Sequence, residues 1–333
     1  MTEQTTVRLA KRPMGLATPD CFTIAKEEVR QPAEGEILLR VDYISLDPAM
    51  RGWMTDRKSY IPPIGIGEIV RAGVVGEVIA SNAPNVAVGD FMSGWGGVAQ
   101  YFTGSPQMFN KVDPKLAPLQ RYLGGLGMPG MTAYFGLLDV GVYKDGDTVV
   151  VSGASGAVGA IVGQIAKLKG SKVIGIAGGA EKCGYCVNEL GFDACIDYKS
   201  ENVDKRLREL IPDGLDVYFD NVGGKILEAA LNNLKFNARV VICGAISQYN
   251  ATEMVPGPAN YLNLLVQSAR MEGFVVTNYV HRGREAIVAM AGWMHEGKLK
   301  FKEDIQEGIE RFPEVFNMLF TGDNFGKLVL KVS

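Results

Sequence analysis

The chain has 333 residues, a length that predicts two domains at about 150 residues per domain. Apolar residues make up 47% and charged residues 21%, which is a globular composition and excludes a disordered chain. The net charge of −3 excludes a generally basic nucleic-acid surface. The five cysteines, an odd number, cannot all pair, so the composition favours the reducing cytoplasm over a disulfide framework.

The first third of the chain is predicted to form a curved antiparallel sheet or small barrel. Up to about residue 125, short apolar runs such as 37–44 and 73–80 are separated by Gly, Pro and Asp. The opening residues show no pattern typical of a signal peptide. Many short strands with such turns are typical of a barrel-like architecture.

From about Met131 the pattern changes to alternating strands and helices, which predicts a parallel sheet covered on both faces. The uncharged run 148–166 fits a buried strand, turn and helix better than a membrane span. The apolar stretch 327–330 predicts a last strand that returns to the first domain. The predicted strands of the central region are 148–152, 172–177, 195–197, 215–220, 239–243 and 271–276, and the predicted helices are 157–169, 180–190, 203–210 and 225–232.

A glycine-rich segment after the first of these strands predicts a dinucleotide-binding turn. Residues 152–159 (Ser-Gly-Ala-Ser-Gly-Ala-Val-Gly) follow an apolar strand and open a helix. Ala154 stands at the first position of the fingerprint, and Gly156 and Gly159 hold the second and third. Gly156 lets a pyrophosphate approach the backbone, Gly159 lets the helix pack on the strand, and the helix N-terminus supplies N–H donors. The alternative is a turn whose glycines serve packing alone.

The end of the second strand favours NADP over NAD. An NAD site has an acidic residue about 20 residues after the glycine turn, where it accepts a hydrogen bond from the ribose 2′-hydroxyl. This chain has Ile-Ala-Gly-Gly at 176–179 and Ala-Glu-Lys at 180–182, so no carboxylate stands at the strand tip. Lys182 can bind a 2′-phosphate and Tyr198 can donate a further hydrogen bond. The alternative for Lys182 is a solvated lysine at a helix end.

The residue types predict a metal-free site. A zinc alcohol dehydrogenase needs thiolate and imidazole ligands in its catalytic domain, but residues 1–130 contain one cysteine, Cys21, and no histidine. The CxxC spacing at 183–186 has no second pair to complete a zinc site. The polar chemistry then falls to tyrosine, water or the cofactor. A conjugated carbonyl is a suitable acceptor because it takes hydride at its β-carbon and spreads the charge as an enolate.

Six motifs in order make the chain resemble the medium-chain dehydrogenase/reductase superfamily. Within it, the chain resembles the zinc-independent group of prostaglandin reductases, leukotriene hydroxydehydrogenases and bacterial curcumin reductases. The resemblance covers nearly the whole chain. The motifs are Asp-Pro-Ala-Met-Arg at 47–51, Met-Pro-Gly-Met-Thr-Ala-Tyr at 128–134, the glycine turn at 152–159, Asp-Asn-Val-Gly-Gly at 220–224, Cys-Gly-Ala-Ile-Ser-Gln-Tyr-Asn at 243–250 and Gly-Asp-Asn-Phe-Gly-Lys at 322–327.

The resemblance implies an α/β fold with two domains. A partly open, GroES-like β-barrel catalytic domain would comprise 1–128 and 305–333, and a doubly wound, Rossmann NADP-binding domain would comprise 129–304. The implied reaction is NADPH-dependent reduction of the activated double bond of α,β-unsaturated ketones and aldehydes. The resemblance also implies a homodimer whose central sheets pair through the last strands, near 274–279, with no nucleic-acid or membrane partner.

The resemblance also assigns site residues. Lys182 and Tyr198 look like the 2′-phosphate contacts, and Phe274 and Val276, on the last strand, look like backbone contacts near the nicotinamide. The full set of cofactor contacts implied by the motifs is Thr132, Ser155, Gly156, Ala157, Val158, Gly159, Gly179, Lys182, Tyr198, Asn221, Cys243, Gly244, Ala245, Ser247, Tyr249, Phe274, Val276 and Asn324.

Two tyrosines are candidates for the catalytic hydrogen-bond donor to the enolate oxygen. Tyr249 resembles the family tyrosine in this role, and Tyr60 matches a second tyrosine on the substrate side. Their alternatives are a packing tyrosine at a strand end and a loop anchor. Arg51 could orient a substrate carboxylate in the pocket or hold its own loop. Tyr261 lies after a proline-rich stretch of the pocket that varies across the group.

Two other functions stay open at this point. Quinones are also conjugated acceptors, so the same fold could serve as an NADPH quinone reductase. A non-catalytic NADPH-binding structural or sensor protein is the alternative from a different class, although the Tyr249 and Asn324 motifs argue against it.

Overall fold

The computed structural model describes residues 2–332, which form two units. One unit runs up to Gly124 and resumes at Glu303, and the other spans Gly125–Lys302. The first segment of the first unit is rich in strands, as its short apolar runs predicted. Its helix is α1 (Ala49–Trp53), and its strands are β1 (Glu3–Leu9), β2 (Phe22–Glu28), β3 (Ile37–Ser45), β4 (Arg71–Ser81), β5 (Phe91–Gly97), β6 (Tyr101–Gly104) and β7 (Phe109–Val112).

The central unit alternates strands and helices, as predicted. Helix α5 shows how the sequence sets an element, because Asn202 caps its N-terminus by accepting from the Lys205 N–H at 2.9 Å, and its one buried residue is Leu207. The strands are β8 (Thr148–Ser152), β9 (Lys172–Ala177), β10 (Ala194–Asp197), β11 (Leu215–Asp220), β12 (Leu234–Ile242) and β13 (Arg270–Gly273), and the helices are α2 (Met128–Phe135), α3 (Gly159–Leu168), α4 (Ala180–Asn188), α5 (Val203–Leu210), α6 (Gly224–Leu231), α7 (Asn263–Val266) and α8 (Gly283–His295).

The tail returns to the first unit, as the apolar stretch 327–330 predicted. It comprises β14 (Glu303–Glu307), α9 (Phe312–Thr321) and β15 (Lys327–Lys331). Strand β15 pairs antiparallel with β3, and this completes a seven-stranded sheet in the order β14-β15-β3-β4-β5-β7, with β6 on β3. Phe312 and Phe316 of α9 are buried in the core of this unit.

The central sheet has six parallel strands in the order β10-β9-β8-β11-β12-β13. This is the doubly wound order. The chain adds β9 and β10 on one side of β8, then returns and adds β11, β12 and β13 on the other side, so the order of strands reverses between β8 and β11. Ligands of such sheets bind beyond the carboxyl ends of the strands at that reversal. We call the turns at the carboxyl ends of these strands, including those that follow β8, β11 and β12, the carboxyl edge. The predicted fold class is confirmed.

Two strand predictions were wrong by several residues at one end, and the predicted strand 195–197 begins one residue earlier, at Ala194. The predicted strand 239–243 begins earlier, at Leu234, and Asn237 has a left-handed φ of +62° where the pairing with β11 shifts register. The last strand stops at Gly273 and does not reach Val276, because its partner β12 ends at Ile242, which pairs with Gly273. The described helices include none with the length and hydrophobicity of a membrane span.

Candidate functional site

The turn after β8 packs so tightly on itself that two of its positions require glycine. A β-carbon on Gly159 would lie 2.3 Å from the Gly153 carbonyl oxygen, and one on Gly156 would lie 3.1 Å from the same oxygen. Ala154 fits the first fingerprint position because Gly175 of β9, which faces its buried methyl group, has no side chain. A β-carbon on Gly175 would lie 2.9 Å from that methyl group. The predicted contacts 155–159 therefore lie in one tight turn at the start of α3.

The predicted 2′-phosphate contacts lie around the end of β9. A β-carbon on Gly178 would lie 2.9 Å from the Tyr198 hydroxyl, so this phenol rests against the glycine backbone. Lys182 lies in the first turn of α4, directly after Gly179, and is half-buried. Thus the structure brings Tyr198 to the Gly178–Gly179 turn from which α4 begins.

Asp197 is a residue of this region that sequence reasoning missed. Its carboxylate accepts hydrogen bonds from the N–H groups of Gly179 at 2.7 Å and Lys199 at 3.0 Å, and from the Ser200 hydroxyl at 2.8 Å. These donors, the Gly179 N–H first, lower the pKa of Asp197. The carboxylate therefore stays ionised and fixes the turn. Its place at the end of a strand beside Tyr198 was the available signal.

The CxxC cysteines lie on α4 behind this turn. Cys183 and Cys186 are buried, and their thiols share hydrogen bonds with Cys195 of β10. The bond with Cys186, together with burial, raises the pKa of Cys195, and burial raises that of Cys183. Protonated thiols are poor nucleophiles and poor metal ligands. Within residues 2–332, no three Cys, His, Asp or Glu side chains come together as a metal-ligand set.

The turn after β11 is hydrogen-bonded to β8, and the turn after β12 is hydrogen-bonded to the turn after β11. The Asn221 side-chain amide donates to the Ser152 carbonyl at 2.7 Å, and the Asn221 N–H donates to the Ser152 hydroxyl at 3.0 Å. The Ser247 hydroxyl donates to the Val222 carbonyl at 2.6 Å. These bonds bring the predicted cofactor contacts Asn221 and Ser247 to the carboxyl edge, beside the glycine turn.

Tyr249 folds back over the turn that follows β12. It ends a short 3-10 helix, Ile246–Gln248, and its hydroxyl accepts from the Ala245 N–H at 3.2 Å. A β-carbon on Gly244 would lie 2.9 Å from the same hydroxyl. Burial, with the charge of Asp220 as a lesser cause, raises the pKa of Cys243 to about 12. The phenol is thus held at the carboxyl edge, and the thiol of Cys243, which directly follows β12, stays protonated.

The remaining predicted contacts of the central unit flank α2. The Thr132 hydroxyl donates to the Met128 carbonyl within α2 at 2.8 Å. The Phe274 ring packs edge-on against the Phe219 ring, with the ring centroids 6.5 Å apart. A β-carbon on Gly136 would lie 2.6 Å from the Phe274 ring. Contrary to the prediction, neither Phe274 nor Val276 is on the last strand, because Phe274 follows β13 and Val276 begins a 3-10 helix. Their backbone contact with a cofactor stays a prediction.

Tyr60 lies in the first unit, on the loop between α1 and β4. The residue is 59% exposed, and its hydroxyl accepts from the indole N–H of Trp53 at 3.3 Å. Trp53 itself is buried and contacts Trp95 edge-on, with ring centroids 5.4 Å apart. Sequence reasoning missed Trp53, although its place seven residues before Tyr60, in the same motif-bearing helix as Arg51, was visible.

Arg51 is buried and anchors a neighbouring loop. Its guanidinium donates to the carbonyls of Pro13 at 2.9 Å and Gly15 at 3.0 Å, and to the Thr55 hydroxyl at 2.9 Å. These bonds favour the loop-holding alternative over a contact with a substrate carboxylate. Asn324 is half-buried, and its side-chain amide donates to the Gly326 carbonyl at 3.2 Å.

Lys327 is a third residue, after Asp197 and Trp53, that sequence reasoning left without a role. Its buried ammonium group donates to the Leu46 carbonyl and to the Asp47 carboxylate, both at 2.8 Å. It therefore connects two of the motifs, 47–51 and 322–327. Because a buried charge is costly unless it is paired, this ion pair fixes the start of α1. The presence of Lys327 and Asp47 in separate motifs was the available signal.

Tyr261 lies in the central unit at the edge of an exposed segment. The residue is 58% exposed and follows the stretch 251–258, which forms no helix or strand. Asn260 holds the end of this segment, because its amide donates to the Glu228 carbonyl at 2.8 Å and to the Asn232 side chain at 2.7 Å. Tyr261 therefore directly follows a residue that anchors the end of this segment by hydrogen bonds.

Comparison with known proteins decides the family. The family "N-terminal domain of oxidoreductase" matches residues 5–112, and the family "Zinc-binding dehydrogenase" matches residues 157–293. The chain is 43% identical to the NADPH-dependent curcumin reductase of Escherichia coli over 98% of this chain and 96% of that protein. The chain belongs to this reductase family. It is a member of the zinc-independent group of medium-chain dehydrogenases/reductases, as predicted.

Other members of the group match over the same length. Prostaglandin reductase 1 of Rattus norvegicus is 39% identical over 99% of this chain and 100% of that protein. The crystal structure of CurA in complex with NADPH from Vibrio vulnificus superposes with a TM-score of 0.94 at 42% identity, covering 99% of both chains. The chain is an oxidoreductase with the predicted architecture.

Proposed function

We propose that this protein uses NADPH to reduce the carbon–carbon double bond of α,β-unsaturated ketones and aldehydes. The observation that carries the proposal is the phenol of Tyr249, held at the carboxyl edge by the Ala245 N–H at 3.2 Å. Relatives named curcumin reductase and prostaglandin reductase support it, at 43% and 39% identity.

The residues at the carboxyl edge fit a dinucleotide phosphate. The turn at 153–159 is tight because β-carbons on Gly156 and Gly159 would press on the Gly153 carbonyl, and α3 begins there without a side-chain cap, which leaves N–H donors for a pyrophosphate. Lys182 and Tyr198 would bind the 2′-phosphate, since the tip of β9 carries no carboxylate. Bound NADPH supplies hydride to the β-carbon of the conjugated carbonyl.

Tyr249 stabilises the oxygen on which negative charge develops. A phenol donates one hydrogen bond, and the Ala245 N–H on its oxygen polarises the hydroxyl and strengthens that donation. A preorganised donor of this kind lowers the barrier because it need not reorient during the reaction. Tyr60 is the rival donor in the first unit. The proton for the α-carbon comes from solvent or from the tyrosine.

We also propose that the protein is a homodimer whose central sheets pair through β13. All four residues of this edge strand, Arg270–Gly273, are exposed. Exposed apolar side chains flank this strand in the sequence, at Leu265, Val266 and Val280. Sedimentation should give twice the chain mass, and Val266→Lys should shift the protein towards monomer. A wild-type protein that sediments as a monomer contradicts the proposal.

NADPH oxidation with a panel of enals, enones and quinones tests the proposed reaction. We expect turnover with enals and enones, and markedly weaker turnover when NADH replaces NADPH. Preference for quinones would identify a quinone reductase on the same fold. Thermal stabilisation by NADPH without activity on any electrophile would indicate a binding protein instead of an enzyme.

A further inference from the structure

One buried carboxylate, that of Asp220, lies where the central sheet reverses direction. Asp220 ends β11 and is 1% exposed. Its Oδ1 atom accepts hydrogen bonds from the Ser152 hydroxyl at 3.0 Å and the Tyr218 hydroxyl at 2.8 Å. It also accepts from the N–H groups of Val222 at 3.0 Å and Gly223 at 2.9 Å. Four donors from two strands and one turn therefore meet on one oxygen.

The same residue reaches the third turn of the carboxyl edge through its backbone. The Asp220 carbonyl accepts from the N–H groups of Cys243 at 2.9 Å and Gly244 at 3.1 Å. Ser152, which precedes the glycine turn, also accepts from the Asn221 N–H. Asp220 thus connects the turns that follow β8, β11 and β12, and each of them carries predicted cofactor contacts.

Burial of a carboxylate in this position costs folding free energy, which argues that Asp220 has a functional role. Burial raises the pKa of Asp220, and its four donors oppose that shift. An apolar residue at the end of a buried strand would avoid this desolvation. Hydrogen bonds from fixed backbone groups restrict the turns to one arrangement, and such preorganisation improves affinity because less freedom is lost on binding.

We propose that Asp220 is a positioning residue that holds the three turns of the carboxyl edge in the arrangement that binds NADPH. The inference rests on the proposed cofactor but not on the proposed substrate. It predicts that loss of the carboxylate weakens NADPH binding while turnover at saturating NADPH stays close to the wild-type rate.

Asp216 provides a matched control at the other end of the same strand. Its carboxylate accepts from the Thr148 N–H at 2.8 Å and from the Lys235 ammonium at 2.7 Å. It therefore also connects β11 with β8 and β12, but at the amino ends of the strands. Asp216→Asn changes the same charge on the same strand, away from the carboxyl edge.

The test compares Asp220→Asn with Asp216→Asn in NADPH titrations followed by fluorescence, without substrate, and in kinetics. We expect Asp220→Asn to raise Kd and KM for NADPH about tenfold, with kcat within about twofold of wild type. Asp216→Asn should leave Kd unchanged. An unchanged Kd in Asp220→Asn, or an equal rise in both variants, would overturn the inference.

A second variant covers the case in which Asp220→Asn does not fold. Ser152→Ala removes one donor to Asp220 and one acceptor for the Asn221 N–H, and keeps the charge. It should raise Kd for NADPH by about fivefold. No rise would overturn the inference. If wild-type protein binds NADPH but reduces no enone, the proposed reaction fails while this inference stands; if it does not bind NADPH, both fail.

Discussion

The carboxyl edge of the central unit and the Tyr60 loop of the first unit differ in how their polar groups are held. At the carboxyl edge, buried side chains such as Ser152 and Asp220 fix the turns through several hydrogen bonds each. Tyr60 is 59% exposed and its phenol is held by one hydrogen bond, from Trp53. We therefore propose that the buried turns hold the cofactor in place and that the exposed loop influences the choice of substrate.

The two candidate tyrosines show this difference directly. Both phenol oxygens accept one N–H, from the backbone of Ala245 for Tyr249 and from a side chain for Tyr60. Tyr249 is half-buried in the turn after β12, whereas Tyr60 is 59% exposed on its loop. Tyr249 is therefore the better preorganised donor.

The largest expected effect is that of Tyr249→Phe. Loss of a preorganised donor to a developing oxyanion lowers kcat by about a hundredfold. Steady-state kinetics with an enone at saturating NADPH measure it. Tyr143→Phe is the control, because its hydroxyl bonds Ser171 at 2.7 Å, at the other end of the sheet. If Tyr60→Phe lowers kcat more than Tyr249→Phe does, Tyr60 and not Tyr249 is the donor to the developing oxyanion.

Lys182→Ala is expected to come next. Removing a charge-assisted hydrogen bond to the 2′-phosphate raises KM for NADPH about tenfold and leaves KM for NADH unchanged. Lys172→Ala is the control, because the Lys172 ammonium donates to the Leu210 carbonyl near the start of β9. An equal change in KM for NADPH and NADH would show that Lys182 does not bind the 2′-phosphate.

Tyr60→Phe is expected to have a smaller effect that depends on the substrate. Loss of one neutral hydrogen bond lowers kcat/KM by about fivefold. The measurement is kcat/KM for a short enal and for a large planar enone, with Tyr122→Phe, also in the first unit, as the control. Unaltered kcat/KM for every substrate would make Tyr60 a loop anchor.

Trp53→Phe is expected to have the smallest effect. It removes the indole N–H that orients the Tyr60 hydroxyl and lowers kcat/KM by about twofold to threefold. The double variant with Tyr60→Phe should be no worse than Tyr60→Phe alone, because Trp53 acts through Tyr60. The control is Trp95→Phe. It alters the ring contact between Trp95 and Trp53 but leaves the hydrogen bond from the Trp53 indole to the Tyr60 hydroxyl in place. Additive losses would contradict the coupling.

The fold was predictable where local pattern decides it. Three predicted strands, 148–152, 172–177 and 215–220, have the same bounds in the structure, because each is built around a short apolar stretch and is followed by turn residues. The ends of β12 and β13 were not predictable, because they depend on a register shift near Asn237 and on the length of the partner strand.

The site was predictable in its motifs and not in its connections. Glycine spacing at 152–159 indicates a phosphate turn by itself. The bond between Ser152 and Asp220 joins residues 68 positions apart, so only the folded sheet brings them together. The contact between Trp53 and Tyr60 is nearer in sequence but depends on how the loop turns back on α1. The roles of the individual site residues stay predictions until the variants are measured.

The most direct test of the proposed reaction is the position of deuterium in the product when an enone is reduced with NADPH deuterated at the transferred position. Hydride transfer to the conjugated double bond gives a saturated ketone with deuterium on its β-carbon. An unsaturated alcohol with deuterium on the former carbonyl carbon would contradict it.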